Sequence, residues 1–227
     1  MFLILMKSRV MRGSPITAGK NRSGFTLLET LVVIAIIGVL ASLLLPALAL
    51  SKETAKVARV RAELYGIGLA LDMYATDNGG QIPPVRVNCN TDLRFDWCEL
   101  PVELANQRYL PHGPAGLDAD LEDVFNPQHT YKYAAPGPQL LNGSPTANYA
   151  LWEPTNLATM SGGGQYFTDP KLSPIRWVVW SLGPQPDSPK AQDTYAPLNR
   201  ESWYTQAGDT GVIARYAKHD GTQFITH

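Results

Sequence analysis

An uncharged, strongly apolar run near the N-terminus constrains this chain more than any other feature. No charged residue lies between Thr30 and Ser51, and residues 31–50 are Leu, Val, Ile and Ala apart from a single Gly, Ser and Pro. About 20 apolar residues are enough for a helix to cross a bilayer. A buried helix of a soluble protein normally keeps a polar stripe, which this run lacks. The run therefore predicts one membrane-spanning helix.

Charge is distributed unevenly around this run. Residues 1–24 hold five basic residues and no acidic one, so all 20 acidic residues of the chain come later. Because positively charged flanks stay on the cytoplasmic side, we expect a cytoplasmic N-terminus and an exported remainder. The acidic remainder argues against nucleic-acid binding, since phosphate recognition needs a basic surface.

A short motif lies directly before the apolar run. Residues 24–29 read Gly-Phe-Thr-Leu-Leu-Glu, which places one carboxylate at the edge of the span. A secretory signal peptide would need a small-residue cleavage site on the far side, and Ala47-Leu48-Ala49 has that form. That alternative leaves the carboxylate unexplained.

The motif, the basic leader and the span together resemble the N-terminus of type IV pilins and type II secretion pseudopilins. The resemblance implies that a prepilin peptidase cleaves after Gly24 and methylates the new amino terminus at Phe25. It also assigns assembly roles to Glu29 and to Pro46, the family's helix-bending proline. A carboxylate inside lipid is costly, so Glu29 is expected either to lie near the membrane interface or to face a cationic partner, for which the amino group of Phe25 on a neighbouring subunit is one candidate.

The resemblance implies a structural subunit and not an enzyme. We expect a type II secretion pseudopilin of the inner membrane whose head is periplasmic and which assembles into a pseudopilus. The expected partners are the prepilin peptidase, other pilin or pseudopilin subunits and an inner-membrane assembly platform. A minor type IV pilin or adhesin, or a single-pass membrane-anchored binding domain, is the alternative. The sequence contains no phosphate loop, zinc-protease His pair or nucleophile elbow, and its acidic cluster at 118–123 is typical of a solvated face.

The helix is predicted to continue beyond the membrane. Apolar residues recur at spacings of three and four at Val57, Val60, Leu64, Ile67, Leu71 and Tyr74. This stripe is expected to pack on the chain's own sheet, with a homomeric coiled coil as the alternative that Gly66 and Gly68 weaken. Asp77-Asn78-Gly79-Gly80 should end the helix. The predicted segments are a basic leader (1–24), an assembly helix (25–50), an amphipathic continuation (51–78) and a loop-rich antiparallel β head (79–227).

The head is predicted to give an α+β, pilin-like fold: a long N-terminal helix packed on a small antiparallel sheet of three or four strands. Residues 176–182 form the clearest strand, and a terminal hairpin turns at Lys218-His219-Asp220-Gly221. A weak helical pattern covers residues 101–109. Gly162-Gly163-Gly164 is predicted to be a flexible loop.

Two features suggest a cross-link or a ligand in the head. Cys89 and Cys98 are the only cysteines, and in an oxidising compartment we expect them to form a disulfide rather than stay as thiols. Zinc would need two further ligands. The tail after residue 179 resembles that of major pseudopilins, in which a loop binds calcium; this makes Asp187 and Asp193 the candidate ligands, although such residues are often solvated turn formers. No other cofactor is expected.

Overall fold

The computed structural model describes residues 24–88, 97–111, 121–192 and 197–226. The chain divides into two compact units at the bond between Leu45 and Pro46. The first unit contributes the start of the long helix. The second contains the rest of that helix and the head.

Helix α1 extends over Leu27–Asp77 and includes Pro46 within its length. It ends where Gly79 and Gly80 take positive φ angles of 67° and 88°. The Gly80 N–H donates to the carbonyl of Ala75 at 2.7 Å, which satisfies a carbonyl of the last turn. The predicted end of the helix is confirmed. The helix continues through Pro46, and the bend expected at this proline stays a prediction.

The predicted apolar stripe of α1 is buried in the head. All six predicted residues are buried, joined by Gly68, Ala70 and Ala75. The stripe faces the chain's own sheet, so it is not available for the coiled coil considered above. Burial of each large side chain contributes about 1.5–3 kcal/mol.

The head is built from short strands and three short helical segments. The strands are β1 (Val85–Val87), β2 (Trp97–Glu99), β3 (Lys132–Ala134), β4 (Gln139–Leu141), β5 (Ser144–Pro145), β6 (Leu151–Asn156), β7 (Ser161–Phe167), β8 (Ile175–Ser181), β9 (Ile213–Lys218) and β10 (Gln223–Ile225). The helical segments are α2 (Val102–Asn106), α3 (Pro189–Gln192) and a 3₁₀ turn at Arg200–Ser202. The predicted strand at 176–182, the terminal hairpin and the helix within 101–109 are therefore confirmed.

The sheet is larger than predicted. Within the described residues, eight strands form one sheet in the order β10-β9-β8-β3-β2-β1-β4-β5, and β6 pairs with β7 in a separate hairpin. All neighbouring pairs are antiparallel except β1 and β4, which run parallel. The α+β class is confirmed, but the prediction of three or four strands is wrong, because the five strands between residues 85 and 145 are only two or three residues long and show no clear strand pattern in the sequence.

The triple glycine lies in a strand and not in a loop. Gly162, Gly163 and Gly164 belong to β7, which pairs with β6 from Leu151↔Phe167 to Asn156↔Ser161. The ring of Trp152 lies over Gly164, where an added Cβ would come 2.4 Å from its Cε2. An aromatic side chain thus covers the bare glycine backbone, and this cross-strand packing substitutes for the missing β propensity.

Strand β8 carries the largest side chains of the core. Trp177 and Trp180 are almost completely buried in it, together with Tyr131 and Tyr133 from β3 and the residue before it. Trp177 packs against helix α1 at Gly68, where a Cβ would lie 2.8 Å from its Cη2. The glycine therefore allows the indole to approach the helix backbone closely.

Among the described residues of the head, two carboxylates are buried. Asp123 is 1% exposed and accepts hydrogen bonds from the Ser181 hydroxyl at 2.8 Å and the Leu182 N–H at 3.2 Å. Burial raises its pKa to about 6. Glu153 on β6 is equally buried, and burial raises its pKa to about 7. The prediction of a solvated acidic face is therefore wrong for Asp123, whereas Asp118 and Asp120 lie outside the described residues.

Candidate processing and assembly segment

Residues before α1 form a capped helix start. The Thr26 hydroxyl oxygen accepts a hydrogen bond from the Glu29 N–H at 3.2 Å. The Glu29 carboxylate Oε2 accepts in return from the Thr26 N–H at 2.8 Å and from the Thr26 hydroxyl at 2.9 Å. This reciprocal arrangement is a capping box, which satisfies donors that a helix start leaves free. The motif Thr-Leu-Leu-Glu therefore fixes where α1 begins.

The predicted cleavage site lies just outside the helix. Gly24 and Phe25 precede Leu27, the first helical residue, and both are exposed; the Phe25 side chain is 82% exposed. No described heavy atom lies within 4 Å of the position that a Cβ on Gly24 would take. The peptide bond between the two residues is thus accessible in non-helical backbone, as a peptidase substrate must be.

The apolar half of α1 has no protein partner in the described chain. An 18-residue apolar stretch of this helix is long and apolar enough to cross a membrane, and none of that stretch is buried. The exposed fraction of its large side chains between residues 31 and 50 runs from 46% at Val32 to 69% at Leu43. So large an apolar surface needs lipid or other protein around it.

A second largely exposed surface lies on the part of α1 that belongs to the head. The residues of this surface recur every three or four positions on the side of the helix opposite the buried stripe, and none is charged. Its large side chains remain about half exposed, at 58% for Tyr65, 53% for Leu69 and 50% for Met73. We call this surface the outer face; it consists of Ala58, Ala62, Tyr65, Gly66, Leu69 and Met73.

Charged residues flank the outer face but do not interrupt it. To one side, Arg59 Nε donates to Glu63 Oε1 at 2.7 Å. To the other, the Arg215 guanidinium lies over the Tyr65 ring with 4.6 Å to its centroid. This face was not predicted from the sequence, where Gly66 entered only as a residue that weakens the coiled-coil alternative. The absence of charge at 58, 62, 65, 66, 69 and 73 is the signal that could have identified it.

The loop before β9 is fastened to α1 by one carboxylate. Glu53 Oε1 accepts hydrogen bonds from the Tyr204 hydroxyl at 3.1 Å and the Gly208 N–H at 2.9 Å. Nearby, Lys190 Nζ lies 3.7 Å from Asp209 Oδ2. No local pattern indicates the Glu53 anchor, because its partners lie about 150 residues away.

The predicted disulfide and the predicted calcium site both remain predictions. Cys98 is buried, its thiol donates to the Tyr149 hydroxyl at 3.6 Å, and burial raises its pKa to about 12. Cys89 lies outside the described residues, as does Asp193, while Asp187 is exposed. In the part of the chain that the structure describes, no three His, Cys, Asp or Glu side chains are placed to hold a metal ion.

Comparisons with known proteins match the N-terminal segment. The family described as "Prokaryotic N-terminal methylation motif" matches residues 19–45. The chain is 48% identical over 59 residues to type II secretion system core protein G of Aeromonas hydrophila, a match covering 26% of this chain and 41% of that protein. It is 51% identical over 59 residues to the Klebsiella pneumoniae protein of the same name (26% and 42%), and 49% identical over 61 residues to the Escherichia coli K12 one (27% and 42%).

These matches confirm the resemblance drawn from residues 24–29. The chain carries a prepilin-type methylation motif, and its N-terminal segment is homologous to type II secretion system core protein G. The matched segment spans about two-fifths of the length of these relatives. No solved structure matches the chain.

Proposed function

We propose that the chain is a pilin-like structural subunit, a type II secretion pseudopilin that is cleaved after Gly24, methylated at Phe25 and assembled through its N-terminal helix into a periplasmic pseudopilus. One observation carries this proposal. An exposed Gly-Phe bond and a capping box lie directly before an apolar helix without a protein partner, in the segment that is homologous to core protein G. The relatives are secretion system components, which supports a structural and not a catalytic role.

The Glu29 carboxylate has the geometry to bind a second subunit. Thr26 occupies only its Oε2, and within the described residues Oε1 accepts no hydrogen bond. Cleavage would create an amino group at Phe25, and a carboxylate at the edge of an apolar helix gains most from such a cationic partner. The pairing sets the axial register between neighbouring helices, which is the best-attested use of a buried ion pair.

The outer face gives neighbouring subunits a surface on which to pack. Its small residues Ala58, Ala62 and Gly66 allow a second helix to approach closely, and Leu69 and Met73 supply apolar area. We expect this face to lie against neighbouring subunits, while the apolar half of α1 lies in the membrane before assembly and inside the helix bundle after it. Prepilin peptidase and an inner-membrane assembly platform are the partners that this sequence of events requires.

Site-specific photo-crosslinking in cells tests the assembly step. A photoreactive residue at Leu69, on the outer face, should give crosslinked ladders of the subunit. The same residue at Leu172, which is 72% exposed and lies between β7 and β8 outside the outer face, is the matched control and should give few. Equal crosslinking from the two positions, or none from either, would contradict assembly through the outer face.

Glu29→Gln separates processing from assembly. It keeps the size of the side chain and an acceptor for the Thr26 N–H but removes the charge. We expect normal cleavage at Phe25 and at least a tenfold loss of the Leu69 ladders. An anchored binding domain, the main alternative, would form no ladders with either side chain at position 29.

A further inference from the structure

A small cavity lies on the face of the sheet that points away from α1. Arg215 and Gln223 point toward the helix, where Arg215 lies over the Tyr65 ring. Side chains alternate along a strand, so the neighbouring Tyr216 and Phe224 point to the opposite face. There they line a cavity of about 240 Å³ together with the turn at residues 158–160, the 3₁₀ turn and the residues after it.

The walls of this cavity are aromatic and held in place. The Tyr216 and Phe224 rings stack with 5.2 Å between centroids and 19° between planes, and Phe224 remains 38% exposed. The Trp203 indole N–H donates to the Pro197 carbonyl at 3.0 Å, which fixes the orientation of that ring. Prearranged aromatic walls favour an apolar or aromatic group in the cavity.

The charge that lines the described part of the cavity is positive. Arg200 is the one charged residue among the described lining residues, and its backbone N–H donates to the Met160 carbonyl at 2.9 Å. Within the described chain the Arg200 guanidinium forms no ion pair. Lys218 Nζ adds a second positive charge, 5.1 Å from the centroid of the Phe224 ring. No carboxylate is present among the described lining residues.

We propose that this cavity binds a carboxylate attached to an aromatic or aliphatic group, as presented by a peptide segment of another protein. The apolar group would lie against Phe224 and Trp203, and the carboxylate would accept charge-assisted hydrogen bonds from Arg200. The cavity is smaller than the sites that hold drug-sized ligands, which matches a single side chain or chain end. This site does not depend on cleavage or filament assembly.

Ligand-observed NMR on the full-length protein in detergent micelles tests the proposal. The probes are N-acetylphenylalanine, its uncharged amide, the peptide acetyl-Gly-Gly-Phe with a free carboxylate, and glucuronate. The two acidic phenylalanine compounds should bind about tenfold more tightly than the amide, the amount that one charge-assisted hydrogen bond provides. The amide also measures partition into the micelle.

Variants assign the binding to the cavity. Arg200→Gln should lower the affinity for acetyl-Gly-Gly-Phe about tenfold and leave the affinity for the amide unchanged. Phe224→Leu, which keeps an apolar side chain, should weaken both probes and provides a second test if Arg200→Gln fails to fold. Arg108→Gln removes another exposed arginine and should bind as the unchanged protein does.

Four results would overturn the proposal. Equal binding of the acid and the amide, or unchanged binding by Arg200→Gln, would show that no carboxylate is recognised there. Binding of N-acetylphenylalanine with exclusion of the peptide would assign the site to small free carboxylates and not to a protein segment. Binding of glucuronate in preference to either would assign it to an acidic sugar.

Discussion

Two glycines of α1 provide a matched test of how the helix packs on the sheet. Gly68 is buried, and a Cβ there would lie 2.8 Å from Trp177 Cη2 and 3.0 Å from Arg215 Nε. Gly66 is exposed two residues earlier, and no described heavy atom lies within 4 Å of its added Cβ. Substitution by alanine adds the same atom to the same helix at both sites. Only the surroundings differ.

The two substitutions are expected to change the free energy of unfolding in opposite directions. Alanine is favoured over glycine inside a helix by about 1 kcal/mol, so Gly66→Ala should be more stable than the unchanged protein by up to that amount. Gly68→Ala gains the same propensity but must displace Trp177 and Arg215, at an overpacking cost of about 1–3 kcal/mol. We therefore expect Gly68→Ala to be less stable than Gly66→Ala by about 1–3 kcal/mol.

Equilibrium urea unfolding of the full-length protein in micelles, followed by tryptophan fluorescence, measures this difference. All five tryptophans lie after residue 79, so the signal reports on the head. A difference of 1 kcal/mol shifts the urea midpoint by about 0.3–1 M, because the slope of stability against urea is about 1–3 kcal/mol per M. If Gly68→Ala proves as stable as Gly66→Ala, the close contact between Trp177 and α1 is not part of the folded protein.

Three other predictions concern the buried acids, the loop anchor and the helix cap. Because burial raises the pKa of Asp123 to about 6 and of Glu153 to about 7, the folded state binds more protons than the unfolded state between about pH 4 and 7. Stability should therefore fall as pH rises through this range, by on the order of 3 kcal/mol for each group; a urea midpoint higher at pH 8 than at pH 5 would contradict this. Glu53→Ala removes the acceptor for two donors of the loop at 204–208 and should cost about 1–3 kcal/mol, with faster hydrogen exchange in that loop; unchanged exchange would refute the anchor. Thr26→Ala should cost the first helical turn about 1 kcal/mol and speed its amide exchange without moving the cleavage site, whereas protection equal to the unchanged protein would exclude the capping box.

Sequence patterns predicted the elements in which the spacing of apolar residues along the chain matches the side chains that the structure buries. The stripe from Val57 to Tyr74 has helical spacing, and strand β8 combines β-branched and aromatic residues before a Gly-Pro stop. The Asp220-Gly221 pair predicted the turn of the terminal hairpin, because Gly221 can adopt the positive φ of 83° that the turn has. In each case neighbouring residues contain the information that the structure uses.

The remaining features depend on partners far away in the sequence. Gly162-Gly163-Gly164 has no strand propensity of its own and becomes part of β7 through pairing with β6 and the cover of Trp152. Asp123 looks like one member of an acidic run, yet its hydrogen-bond partners Ser181 and Leu182 lie 58 and 59 residues later. Such long-range partners leave no local periodicity to read.

The candidate processing site was likewise predicted in part, from its local sequence, whereas the outer face was not. The Gly24-to-Glu29 motif was recognisable as a string of residues, and the structure adds the mutual bonds of Thr26 and Glu29 that give the string a physical role. The outer face was not recognised, because its residues carry no motif and their exposure depends on which side of α1 the sheet covers.

The mass of the N-terminal peptide, from cells with and without prepilin peptidase, decides whether the chain is processed as a prepilin. We expect a mature protein that begins at methylated Phe25 and is found only when the peptidase is present. A leader that stays intact in the presence of the peptidase, or a cut near Ala49 that releases a soluble head, would contradict it.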